Sequence, residues 1–226
     1  MRSMYAGWPI YVLARAGGNV MKDQIREASP RPRAKMTGAL YLLYFLTTIL
    51  GQIMVGHGLA VSGSVINVIS TLLYAVVSLL FYGLFKPVSK SLSLLAALLS
   101  FAGCVVMSLG LFHITWPISP LLFFSPFCLL IGYLIIKSSF LPCVLGVLMV
   151  SAGLGWLVYL IPAVPRTLAL AMMVLGFLAE LSLCLWLLVR GVNVERWKQQ
   201  ASTAMASIQI SETPSPVERV STTTQH

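Results

Sequence analysis

Apolar residues in this chain come in long blocks, separated by short polar breaks. Six blocks stand out, at 36–56, 65–85, 91–112, 119–136, 141–161 and 167–189. A bilayer core about 30 Å thick takes about 20 mostly apolar residues per helix, so each block predicts a transmembrane helix. The breaks are short, and short connections make neighbouring helices antiparallel. A membrane barrel would require alternating apolar and polar positions, which these blocks lack. The predicted fold is therefore all-α, an integral membrane bundle of six helices over 36–193. It is flanked by a basic, flexible N-terminal tail (1–35) and a Ser/Thr/Pro-rich C-terminal tail (194–226).

Composition removes the alternatives. Of 226 residues, 58% are hydrophobic and 9% charged, against about 25% charged in ordinary soluble domains. A mean hydropathy of +0.90 excludes a soluble globular domain, and so apolar a chain is not intrinsically disordered. The net charge of +9 supplies an orientation. Fourteen of the fifteen Lys and Arg residues fall in the two tails and in the second and fourth connections; only Arg166 falls on the opposite side. The positive-inside rule then puts both termini in the cytoplasm of a plasma (inner) membrane, multi-pass. An odd number of spans would abolish this asymmetry.

In the N-terminal tail, the apolar patch before Arg15 is short and contains Pro9, unlike a cleaved signal. Translation from Met21 is an alternative start. Arg31, Arg33 and Lys35 precede the first span as a topology signal, with lipid-headgroup contact secondary. Nucleic acid is not an expected partner, because no folded soluble module carries the charge. Near the C-terminus, Trp197 between Arg196 and Lys198 has the composition of an interface anchor, and ISETPSPVERVSTTTQH reads as disordered.

Glu180 is the only acidic residue within a span. It lies ten residues before Arg190, hence about 15 Å deep. A carboxyl there is either paired or protonated, and an intramembrane acid is a functional candidate by default. Gly176, Glu180 and Cys184 follow at four-residue steps, so Glu180 is expected to face the bundle. It is the candidate intramembrane polar site, as a proton relay, an ion site or a substrate anchor. The structural alternative is a hydrogen bond that sets helix register.

Other polar residues carry less. His57 and His113 sit at the outer ends of spans one and three, with no acid nearby to complete a metal site. No span has a mid-depth His for haem, so no cofactor and no metal are expected. Cys104, Cys128, Cys143 and Cys184 show no CxxC spacing and read as small hydrophobes. Ala96, Ser100, Cys104 and Ser108 form a small-residue stripe for helix packing, and Ser151 and Gly155 repeat the step. Pro126 is expected to kink the fourth span. Tyr82 and Lys86 close the second span as Tyr133 and Lys137 close the fourth, a pattern of interface anchoring. No GxSxG, HExxH, phosphate-binding Gly loop or dinucleotide fingerprint is present.

The run 122–163 (LFFSPFCLLIGYLIIKSSFLPCVLGVLMVSAGLGWLVYLIPA) and the run 179–193 (AELSLCLWLLVRGVN) resemble the domain-of-unknown-function 4386 family. MTGALYLLYFL and YGLFKPVSKSLSLLAALLSF resemble its first helix and its second-to-third connection, so the resemblance spans 34–193. It implies a small, mostly bacterial protein of about six spans and no established activity. The matching positions are Tyr82, Lys86, Pro87, Gly132, Tyr133, Pro142, Gly146, Gly155, Glu180, Trp186, Gly191 and Asn193. Family members often carry a Gly-His pair in the fourth helix. This chain has Ser125 to Phe127 there, so a role resting on that His does not transfer.

The expectation is an integral membrane protein of unknown biochemical function and not an enzyme. A small transporter or permeability protein with Glu180 in its pathway is the first reading. A structural or interaction protein in which Glu180 locks the bundle is the alternative. An intramembrane enzyme acting on a lipid-like substrate comes last, since catalysis needs several convergent polar groups. The lipid bilayer is the expected partner. A homo-oligomer is compatible with the sequence, which specifies no small-molecule or ion substrate.

Overall fold

The computed structural model describes residues 30–111 and 118–212. Among them are seven helices: α1 (Pro30–Gly56), α2 (Ala60–Phe85), α3 (Lys90–Leu111), α4 (Leu121–Lys137), α5 (Cys143–Tyr159), α6 (Arg166–Val189) and α7 (Val194–Glu212). No strand occurs among the described residues. Four helices, α1, α2, α3 and α6, are long and apolar enough to cross a membrane. The remaining two predicted spans, α4 and α5, are apolar helices of 17 residues. At 1.5 Å per residue they are about 26 Å long, at the lower limit for a span.

Each helix packs against the next from α1 to α6, and α6 returns to α1, closing a ring of six. The buried core is aromatic and aliphatic, with Tyr41, Phe81, Phe85, Phe127, Ile131, Leu134, Leu183 and Leu187 among its members. Leu, Ile and Val crowd the exposed surface, Val144 and Val189 being more than 60% exposed. A water-soluble protein would not expose so much contiguous apolar area, whereas a lipid-facing one does. The predicted stripe on α3 faces α2: Ala96, Ser100 and Cys104 are buried, and Ser100 Oγ lies 2.5 Å from Ser78 Oγ. Ser151 bonds its own helix at the Val147 carbonyl.

Helices extend into both predicted tails. Helix α1 starts at Pro30, so Arg31, Arg33 and Lys35 stand on its first turns. Proline is accepted at the start of a helix because the N–H it lacks would be unpaired there. At the other end, residues 194–212 form α7 instead of the start of a tail. Gly191, with φ of +68°, ends α6 in the left-handed conformation that favours glycine. The Asn193 side chain then accepts from the Arg196 N–H at 3.2 Å, capping α7. Trp197 and Ala201, four residues apart, are buried, and Trp197 Nε1 donates to the Leu84 carbonyl at 3.0 Å. That carbonyl belongs to the last turn of α2, where no helical partner is available. The rest of the predicted tails, residues 1–29 (with Pro9, Arg15 and Met21) and 213–226, lies outside the described residues.

Candidate functional site

Glu180 faces the interior, as its four-residue spacing with Gly176 and Cys184 predicts. All three residues are buried, and Glu180 is 8% exposed. Tyr41 Oη on α1 donates to Glu180 Oε2 at 2.6 Å. Cys128 Sγ on α4 makes a long contact with Oε1 at 3.9 Å. Trp156 on α5 packs against the same stretch of α6. Its indole covers Gly176, one turn before Glu180: a Cβ at Gly176 would lie 2.7 Å from the Trp156 ring. The carboxyl therefore meets an O–H donor from α1 and, at longer range, an S–H group from α4, both of which use it as an acceptor.

Aromatic rings enclose this cluster. The Tyr41 ring stacks on Phe45 at 5.0 Å and meets Tyr74 and Phe81 edge-on. Tyr74 in turn meets Phe124 and Phe127 edge-on. One turn along α6, Cys184 Sγ donates to the Gly38 carbonyl at 3.3 Å, a second link between α6 and α1.

The sequence reading of the site does not include Tyr41, Cys128 or Trp156. One signal for Tyr41 is present in the chain: it lies ten residues after Arg31, as Glu180 lies ten before Arg190. In antiparallel helices that spacing sets both at the same depth, about 15 Å from the same end.

The other positions read from the sequence as family-motif ones do not converge on Glu180. Gly132 and Gly146 form a close crossing of α4 and α5, each carbonyl lying 2.8 Å from where the other's Cβ would stand. Gly155 is buried against Met172. Lys137 Nζ sits 5.8 Å from the Tyr133 ring centroid, with Tyr133 itself exposed. Tyr82 and Pro87 are half-buried and Lys86 is exposed at the end of α2. Pro142, Trp186, Gly191 and Asn193 gather instead at one end of the bundle, around a cleft that Glu180 does not line.

His57 is exposed at the end of α1, and His113 lies outside the described residues. Among the described residues, no three His, Cys, Asp or Glu side chains group to hold a metal. Pro126 lies inside α4, where it withholds one backbone N–H; Ser125 beside it is buried and bonds the Leu121 carbonyl at 2.7 Å.

Residues 111–191 match the family model described as "Domain of unknown function (DUF4386)". The match supports the family read from the sequence, and it contains Cys128, Trp156 and Glu180 but not Tyr41. No curated protein and no solved structure matches the chain.

Proposed function

We propose that this chain is a six-span protein of the plasma membrane, with both termini cytoplasmic, that acts as a structural or interaction protein. In this reading Glu180 is a clasp and not part of a transport path, and the protein is not an enzyme. Packing of α4 and α5 into one ring with the four long helices supports six spans. The uneven distribution of Lys and Arg supports the orientation.

The observation that carries the reading is the Tyr41–Glu180 hydrogen bond at 2.6 Å, with the longer Cys128 contact beside it. A buried carboxyl tied by a short hydrogen bond to a neighbouring helix serves as a link between the two helices. A polar link of this kind replaces the hydrophobic driving force that helices lack in lipid.

A double-mutant cycle tests this. Glu180→Gln keeps an acceptor oxygen but turns an NH2 toward groups that are themselves donors. We expect a loss of about 2 kcal/mol. Tyr41→Phe should cost about 1 kcal/mol, and the two should couple by about 1 kcal/mol. Proton and solute flux through proteoliposomes should be the same for wild type and both variants. Unchanged stability of Glu180→Gln together with a flux that it abolishes would overturn the clasp in favour of transport.

A further inference from the structure

A cleft of about 740 Å³ opens where α1 begins, α6 ends and α7 turns back. Its wall carries Arg31 from α1, Arg190 from the end of α6 and Arg196 from the first turn of α7. Glu195 is the one acid among its described lining residues. The local structure holds these arginines in place. Arg196 Nη1 donates to the Ser139 carbonyl at 3.2 Å. The Arg190 guanidinium lies 5.5 Å from the Trp186 ring centroid, a cation–π contact. The turn at Gly191 brings the chain against the Arg31 stem, whose Cγ would be 3.3 Å from a Cβ there. The N-terminus of α7, capped by Asn193, adds the positive end of a helix dipole to the same wall.

A topology signal requires positive charge at this end of the bundle, but it does not require arginine or a shared cleft. Lys86, Lys90 and Lys137 belong to the same end and do not line the cleft, whose lining cations are all Arg. A guanidinium fork matches the oxygens of a phosphate in a way that an ammonium does not. Val189, at the last turn of α6 and 67% exposed, adds a lipid-facing residue directly before Arg190.

We infer that this cleft binds a phosphate group, carried by an anionic phospholipid headgroup or by a small soluble phosphate. The inference is independent of the role of Glu180.

The test is native mass spectrometry of the full chain with phosphatidylglycerol, with diacylglycerol as the lipid lacking phosphate and with inorganic phosphate as competitor. Wild type should retain phosphatidylglycerol and not diacylglycerol. Arg31→Gln/Arg190→Gln/Arg196→Gln should weaken retention by about tenfold. Lys86→Gln/Lys90→Gln/Lys137→Gln removes the same charge from the same end and should change it less than about twofold. Should the triple arginine variant fail to fold, Arg190→Gln alone, at an exposed position, should give about threefold. Displacement of the lipid by millimolar inorganic phosphate assigns a soluble ligand; resistance to it assigns a headgroup. Equal loss in the arginine and lysine sets, or retention of neither lipid nor phosphate by wild type, overturns the proposal.

Discussion

The crossing of α4 and α5 offers the most direct test of how this bundle is held together. A Cβ on Gly132 would stand 2.7 Å from the Val150 backbone N and 2.8 Å from the Gly146 carbonyl. A Cβ on Gly146 would stand 2.8 Å from the Gly132 carbonyl and 3.0 Å from the Ile136 N. These four obstructing atoms are all backbone, so no rotamer change relieves them. Ordinary contact needs about 3.5 Å, so Gly132→Ala must part the helices by about 0.7 Å. A gap of that size forfeits about a quarter to a half of each dispersion contact across it. Ile131 and Ile135 on α4 and Leu145 and Met149 on α5 are buried in the same core cluster, whose packing is at risk. In lipid such packing has no hydrophobic substitute, because the solvent is as apolar as the side chains.

Overpacking of this kind costs about 2–3 kcal/mol. Alanine's better helix propensity returns about 1 kcal/mol. The expected net loss for Gly132→Ala is about 1–2 kcal/mol. Gly83→Ala is the control: nothing lies within 4 Å of its Cβ position, so it should be neutral or stabilising by up to about 1 kcal/mol. Unfolding by SDS titration in mixed micelles, followed by tryptophan fluorescence, reads both. The double variant Gly132→Ala/Gly146→Ala should lose less than the sum of the single losses, because the first Cβ already opens the gap that the second needs. Equal stability of Gly132→Ala and Gly83→Ala would refute the close crossing.

Three further outcomes are expected. Trp197→Phe keeps an aromatic ring but deprives the Leu84 carbonyl of its donor, and should lower stability by about 1 kcal/mol in the same assay; no change would mean that α7 docks by apolar contact alone. Gly191→Ala puts a Cβ on a left-handed residue and should cost about 1–2 kcal/mol, with Gly191→Asn milder, because asparagine tolerates that conformation. Equal losses would locate the effect in contact with Arg31 instead. Cys143 is exposed while Cys104, Cys128 and Cys184 are buried, so a maleimide should modify one thiol per folded chain and four after denaturation; with a membrane-impermeant reagent, labelling should occur in inverted vesicles and not in intact cells, and the opposite sidedness would refute cytoplasmic termini.

The difference between what the chain discloses as sequence and what needs coordinates follows from which variable each residue controls. Apolar block length reports whether a helix can span, and it located all six helices of the ring; the two 17-residue members, which start directly after Pro120 and Pro142, sit at the margin. Depth is also legible, since basic residues mark the helix ends: Glu180 is ten residues from Arg190, Tyr41 ten from Arg31 and Cys128 nine from Lys137. What spacing cannot supply is which helix faces which around the ring. The sequence therefore set Glu180 at mid-membrane on an inward face but did not identify its partners, Tyr41 and Cys128, which come from two other helices. For α7 the signal was masked in a different way. Its composition is polar, and among its described residues only Trp197 and Ala201 are buried, too few for a periodic pattern. Its formation depends on a capping asparagine and a left-handed glycine whose roles appear once α6 is known to end there. Those same two residues, with Pro142 and Trp186, read from the sequence as family-motif positions, and they line the arginine cleft. Gly191 and Asn193 thus build the end of the bundle, while Glu180, in the proposed reading, ties its middle.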